Sequence, residues 1–332
     1  MNDNSGLAYN RKENYLRRNL KREIMRSFKE GEIFCRNTFD ANGPYWHLYT
    51  QGHDTPLIFR EKEDYVFAMN IICQAAFEFP QTKIITFEVM GNHLHFLLTG
   101  EKEMAQQFFS FIRKRLALGL KKTFPDGLPK TFSATIKAVT DLNALRNTIV
   151  YINRNGFVAD QTQTPYSYPW GAGRYYYNEF PVFQKLKDFK IREVRRMFRG
   201  RTPSIPEDCK VIDGYIAPSS YCCINLGMAF FRNAHHYISL LFRNVEAYSE
   251  MALELGDSEA STDNELYSQL SRIIQTRYNL STSKDLTKAQ KTDLARTLRN
   301  TYRSSNSQIS RVLGLSLYEV DTMFPLTAKR SD

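Results

Sequence analysis

The sequence predicts an α+β fold, an antiparallel sheet carrying helices and followed by an all-α carboxy-terminal region, on three observations. Between residues 45 and 155, short strand-like apolar runs alternate with longer segments of helical period. Two of the strand-like runs, 83–89 and 94–99, are adjacent with no helix between them, which suggests antiparallel pairing. From residue 220 onward the pattern is largely helical, and three hydroxyl-x-x-Glu/Gln capping boxes divide its last part.

In chain order the expected elements are a strand at Tyr45–Thr50, a helix at Asp64–Phe79, strands at Lys83–Val89 and Leu94–Thr99, and a helix at Glu103–Lys121. A strand at Ser133–Val139 and a helix at Asp141–Asn155 complete the series. This is the β-α-β-β-α-β order of a ferredoxin-like core. A basic helical extension precedes it, from Asn10 to about Glu32, with Leu16, Leu20 and Ile24 as its apolar stripe. The Pro- and Tyr-rich stretch Pro165–Pro181 closes the domain, and a basic segment with Thr202-Pro-Ser-Ile-Pro206 reads as a linker. The expected division is 1–38 (extension), 39–180 (core domain), 181–219 (linker) and 220–332 (helical accessory region), with Gly256–Glu265 as a polar loop.

The capping boxes are Thr287-x-x-Gln290, Ser305-x-x-Gln308 and Ser316-x-x-Glu319. Three short helices are expected to follow from them. Ile309, Val312 and Leu313 form an inner face, Gly314 permits a turn, and Val320 with Phe324 anchors the last helix. Residues 304–324 therefore have the pattern of a helix-turn-helix whose second helix, from Ser316 through Tyr318 to Phe324, would read duplex DNA. A helical bundle that touches no nucleic acid is the alternative.

Forty-five Lys and Arg against thirty-five acids give a formal charge of +10. Residues 11–29 carry eight basic and two acidic side chains, and 185–201 repeat that ratio. Such runs are either solvated helix surface or places that attract polyanions through counterion release. The amino terminus is polar and then basic, and no apolar run approaches the roughly 20 residues of a membrane helix, so a soluble cytoplasmic protein is expected, without a membrane partner. Five cysteines without a Cys-x-x-Cys exclude a secreted disulfide framework, and the adjacent Cys222-Cys223 lack zinc-ligand spacing.

Residues 90–95 read Met-Gly-Asn-His-Leu-His, and Tyr151-Ile-Asn-Arg-Asn155 follows near the end of a helix. On a strand, residues two apart share a face, so His93 and His95 project together, and two neutral imidazoles can share one cation. On the later helix Leu142, Leu145, Ile149 and Ile152 form one stripe, while Asn147, Tyr151 and Asn155 recur every four residues roughly 140° away. Tyr151 is thus expected off the core stripe. Gly156 is expected to end the helix and leave Asn155 at an accessible end.

These residues resemble the single-tyrosine HUH endonucleases, in particular the transposases of small insertion sequences and the REP-associated tyrosine transposases. Members carry Met-Pro-Asn-His-x-His on a central strand and Tyr-Ile-x-x-Asn-Pro on a helix; here Met90, Asn92, His93, His95, Tyr151, Ile152 and Asn155 match. Gly91 and Gly156 stand where the family has proline, and the paired serines of a downstream Tyr-Pro-x-Ser-Ser motif are missing after Tyr168-Pro169. The resemblance spans about residues 44–177. It implies an HUH nuclease core in which His93, His95 and Asn155 hold Mg²⁺ or Mn²⁺. Tyr151 would attack a phosphodiester of single-stranded or hairpin DNA to give a 5′-phosphotyrosine and a free 3′-hydroxyl. Arg154, beside the tyrosine, and Ser316 and Tyr318 of the expected reading helix are the candidate DNA contacts. Family members are monomers or homodimers. A DNA-binding regulator that keeps the scaffold without cutting, and a hydrolase using water, are the competing expectations.

Overall fold

The computed structural model describes residues 25–52, 55–159, 164, 166–178, 183–243, 251, 263–280, 282–300, 302, 304 and 306–324. Four strands, β1 (Tyr45–Thr50), β2 (Lys83–Val89), β3 (Leu94–Thr99) and β4 (Ala134–Val139), form a sheet of order β2-β3-β1-β4 in which all neighbours are antiparallel. Residues 25–42 are helix α1. Helices α2 (Lys62–Glu78) and α3 (Lys102–Gly119) make the connections within the sheet, and α4 (Leu142–Ala159) follows its last strand. The chain is therefore α+β, with the strand bounds close to those expected from the sequence.

Every residue of β3 is buried because both faces of the sheet are covered. On one face the Phe96 ring packs on Phe87 of β2 and, edge-on, on Phe108 of α3. On the other lies α4, which packs on β2 and β3. The outer edge of β2 is closed by backbone bonds from Val89 N–H to Trp170 and from Cys223 N–H to Ile84. The opposite edge, β4, alternates half-exposed and exposed residues over most of its length.

Helix α4 departs from its sequence expectation in two ways. Asp141 caps its start by accepting from the amides of Asn143 and Ala144, both at 2.9 Å. It does not stop at Gly156, since its last turn runs to Ala159. From Thr148 to Gly156 every residue is buried, because α4 lies between the sheet and helix α7 (Ala234–Arg243). The stripe of Leu142, Leu145, Ile149 and Ile152 is buried as expected, but the Tyr151 face is buried too.

The segment read as a basic linker carries structure of its own. Strands β5 (Gln184–Lys185), β6 (Lys210–Ile212) and β7 (Tyr215–Ile216) form a small antiparallel sheet, and α5 (Ile191–Met197) lies between the first two. The Asn70 side chain of α2 accepts from Ile216 N–H and donates to the carbonyls of Met197 and Gly214, so β7 joins the main core. Helices α6 (Ile224–Ala229) and α7 also contribute to that core through Phe230, Phe231, Tyr237 and Leu241. The accessory region thus divides, and only its later part has a hydrophobic cluster of its own.

That later part comprises α8 (Asp263–Ile273), α9 (Lys288–Asn300), α10 (Asn306–Leu313) and α11 (Leu317–Met323). Residues 263–265 of the expected loop are helical, while 256–262, the extension up to Ile24, and Ser305 fall outside the described residues. Thr287 with Gln290 and Ser316 with Glu319 form the reciprocal bonds of a capping box. Gly314, at φ 61°, makes the turn between α10 and α11, and Ile309, Val312, Leu313 and Val320 are buried.

Helix α1 continues well past Glu32. The Glu32 carboxylate receives Arg146 of α4 at 2.7 and 3.1 Å and Arg232 at 3.0 Å. Chiefly the Arg146 hydrogen bond pulls its carboxyl down to about 2 from an ordinary 4.5. A lowered folded-state pKa contributes stability that is present above 4.5 and lost as pH falls through about 2. Glu32→Gln is therefore expected to lower stability at neutral pH and to flatten its decline in that acid window, read by urea unfolding at a series of pH values. A decline parallel to that of the parent chain would contradict the pairing.

Candidate active site

The histidine motif sits at the β2–β3 hairpin and is held from outside it. Met90 N–H donates to His93 C=O across the turn, and the Asn92 amide donates to the carbonyls of Gly52 and Thr55 at 2.7 and 2.8 Å. Asn92 Oδ1 lies 2.7 Å from His93 Nδ1, which orients that imidazole. A Cβ at Gly52 would lie 2.8 Å from the same nitrogen, so the glycine permits the close approach.

His93 and His95 do project together, with ring centroids 5.0 Å apart and nearly perpendicular. The Tyr151 ring stands edge-on to His95 at 5.6 Å, so the structure brings the tyrosine of α4 to the histidines of β3. His47 of β1 joins them. Its Nε2 is 3.2 Å from His95 Nδ1, and its ring is 6.4 Å from that of Tyr151. Tyr49 stacks on the outer side of His95 at 6.2 Å.

The cluster is enclosed. His47, His93, His95, Tyr151, Arg154 and Asn155 are each 6 % exposed or less. Three expectations change as a result. Tyr151, at 2 % exposure, is not on an open face, although its neighbours are imidazoles and not only apolar groups. Asn155 is not at an accessible helix end, because α4 continues and the segment around Tyr168 packs over Gly156. Arg154, at 2 % exposure, is part of the interior and not a surface contact for DNA. Of the other two residues expected to touch DNA, Ser316 is occupied as the cap of α11, whereas Tyr318 is 81 % exposed.

Glu88 is a residue that sequence reasoning did not single out. It pairs across the sheet with His95, so both side chains stand on the α4 face. Its Oε1 accepts from Gly156 N–H at 3.0 Å, while Oε2 is buried without a hydrogen-bond partner. Burial pushes this carboxyl well above its ordinary range, against the smaller opposing effect of the Gly156 amide. A charged residue within the otherwise uncharged, mostly apolar run Ile84–Val89 was the available signal. For His47 the signal was strand parity, but its use required knowing that β1 and β3 are neighbours.

Two features bear on whether a divalent cation fits. His93 and His95, the imidazoles expected to share the ion, have ring centroids 5.0 Å apart, close enough for a nitrogen of each to reach one cation at about 2.0–2.1 Å. The Asn155 Nδ2 is buried with no acceptor, and turning the amide by 180° exchanges it for a hard oxygen donor. Among the described residues, no group of three or more His, Cys, Asp or Glu gathers as metal ligands. A mixed set of two imidazoles and one amide oxygen is compatible with these facts. No described helix is long and apolar enough to cross a membrane. Comparison with protein-family models, curated proteins and solved structures found no match.

The seat of Gly156 is tight. An added Cβ would fall 2.2 Å from the Tyr168 ring and 2.4 Å from Glu88 Oε1. Gly156→Ala is therefore expected to destabilise the fold by about 1–3 kcal/mol, the usual range for overpacking. Gly156→Pro is expected to be worse, because it also deletes the N–H that Glu88 accepts. Urea midpoints test both, and an unchanged midpoint for Gly156→Ala would contradict this packing.

Proposed function

We propose that this chain is a metal-dependent enzyme that nicks and rejoins single-stranded DNA, transposase-like, through a 5′-phosphotyrosine on Tyr151. The observation that carries the reading is the contact of the Tyr151 ring with His95, on the face of β3 that also bears His93. His93, His95 and the side-chain oxygen of Asn155 would hold Mg²⁺ or Mn²⁺. The cation would polarise the scissile phosphodiester.

In the proposed step the Tyr151 Oη forms a bond to phosphorus while the bond from phosphorus to the 3′ oxygen breaks, and the departing oxygen takes a proton to become a 3′-hydroxyl. The phenolic proton needs an acceptor. His47, beside both Tyr151 and His95, is the nearest imidazole on another strand. Half-ionising a phenol of pKa about 10 at pH 7 takes on the order of 4 kcal/mol, which a nearby cation and base would share. Rejoining runs the same exchange backward, with the 3′-hydroxyl attacking the phosphotyrosine.

Incubation with single-stranded DNA and Mn²⁺ is expected to yield a covalent protein–DNA adduct that Tyr151→Phe abolishes, resolved on a denaturing gel. Equal adduct in the Tyr151→Phe variant would eliminate the proposal. The enclosure of Tyr151 favours a second reading, a DNA-binding regulator on the same scaffold that does not cut. Duplex binding with no adduct under any metal condition would select it.

Both readings use α10 and α11 as a helix-turn-helix. Tyr318 is the exposed aromatic near the start of α11, and Leu317 beside it is half-exposed. Tyr318→Ala is expected to weaken duplex binding several-fold in a gel-shift titration while leaving the adduct with single strands unchanged. Undiminished duplex binding would remove α11 as the reading helix.

A further inference from the structure

A cavity of about 430 Å³ lies where α1, α4 and the segment before α7 meet, lined by Glu32, Asn143, Arg146, Asn147, Arg232 and His236. Two guanidiniums face one carboxylate there, and among the described residues no second carboxylate lines the cavity. Burial, with help from Arg232, pushes His236 down to about 4, so at neutral pH it adds no charge. The cavity therefore keeps a surplus of one positive charge.

The two arginines are not equivalent. Arg146 is buried, its Nε donates to Phe230 C=O at 2.6 Å, and its two Nη atoms grip Glu32 in a fork. Arg232 lies flat on the Phe28 ring at 4.0 Å and gives Nη1 to the same carboxylate. An anion held in a fork by one arginine and contacted by a second is the arrangement by which arginines take a carboxylate or a phosphate. Asn143 and Asn147 add amide groups one helical turn apart, and Asn147 lies one turn before Tyr151 on the same helix.

We propose that the Arg146–Arg232 pair is a binding site for a backbone phosphate of a nucleic-acid strand, with Glu32 of α1 as its internal occupant, so that a bound strand displaces the Glu32 carboxylate from Arg146 of α4. This rests on the reading of DNA as partner. It would give a strand an anchor on the helix that carries Tyr151.

The test is fluorescence anisotropy of a labelled single-stranded oligonucleotide on the full chain across a salt series. Glu32→Gln removes the competing charge and is expected to tighten binding about tenfold and to steepen the log–log salt slope by about 0.7, the increment for one phosphate on a single strand. Arg232→Ala is expected to weaken binding and flatten the slope by about the same amount. Should Glu32→Gln fail to fold, Arg232→Ala carries the test alone. Unchanged affinity and slope in the folded variants would overturn the inference. Displacement of the oligonucleotide by inorganic phosphate at matched ionic strength would reassign the site to free phosphate and likewise overturn the strand assignment. A response to both variants without any covalent adduct would sink the nicking reading alone, and an adduct with no response to either would sink this inference alone.

Discussion

The seating of α4 on the sheet is the constraint on which the rest depends, and polar contacts set it within an otherwise apolar interface. Thr86 of β2 donates to Asn153 Oδ1, Asn153 Nδ2 donates to the Tyr237 hydroxyl of α7 at 3.0 Å, and Glu88 accepts from Gly156. Hydrophobic burial alone would let a helix slide or turn by a fraction of a residue at little cost, because it is non-directional. A buried hydrogen bond does not tolerate this, since each unmet group costs about 1–3 kcal/mol. The register so fixed is the one that points Tyr151 at His95.

Enclosure has two opposite consequences for chemistry at that point. Water exclusion strengthens every charge interaction among the imidazoles, the phenol and any ion between them. The same enclosure denies a strand of nucleic acid any route to the phenol without movement. The covering elements differ in how they are held. β2 and β3 are ladder-bonded and, apart from Lys83, buried, whereas α1 exposes Ile33 and Phe34, buries Cys35 in the core and meets Arg146 of α4 through the Glu32 carboxylate. An ion pair can exchange one anion for another, a hydrophobic core cannot, and so the Glu32 contact of α1 is the one best suited to yield.

Much of the fold was legible because its signals are local. Alternation and apolar runs located β1 to β4 nearly to the residue, and the parity of His93 and His95 followed from strand geometry alone. What was not legible depends on neighbours distant in sequence. The expected openness of Tyr151 assumed a helix with one buried face, but α4 is packed on two sides, and a single periodic stripe cannot reveal the second. His47 became part of the cluster only through the β1–β3 pairing. The stretch 184–216 looked like a linker because its charge and prolines are conspicuous, while its buried apolar residues, Leu186, Val194, Phe198, Cys209, Val211, Tyr215 and Ile216, are too scattered to form a period.

The two glycines that replace prolines of the resembling motifs are both accounted for by their surroundings. At position 91 the carbonyl accepts from Ile58 N–H and Phe59 N–H, each at 2.9 Å, and a Cβ would lie 2.9 Å from Leu57 Cδ1. The Leu57 side chain of the neighbouring loop occupies the space a ring would fill. At position 156 the case is stronger, because the amide proton itself is used. Proline there would leave Glu88 a buried carboxyl without its donor, and Glu88 beside proline would be a costly residue to keep. Glu88 and Gly156 are therefore one choice made at two positions. The Gly156 amide and the Glu88 carboxyl thus depend on each other across the interface between α4 and β2.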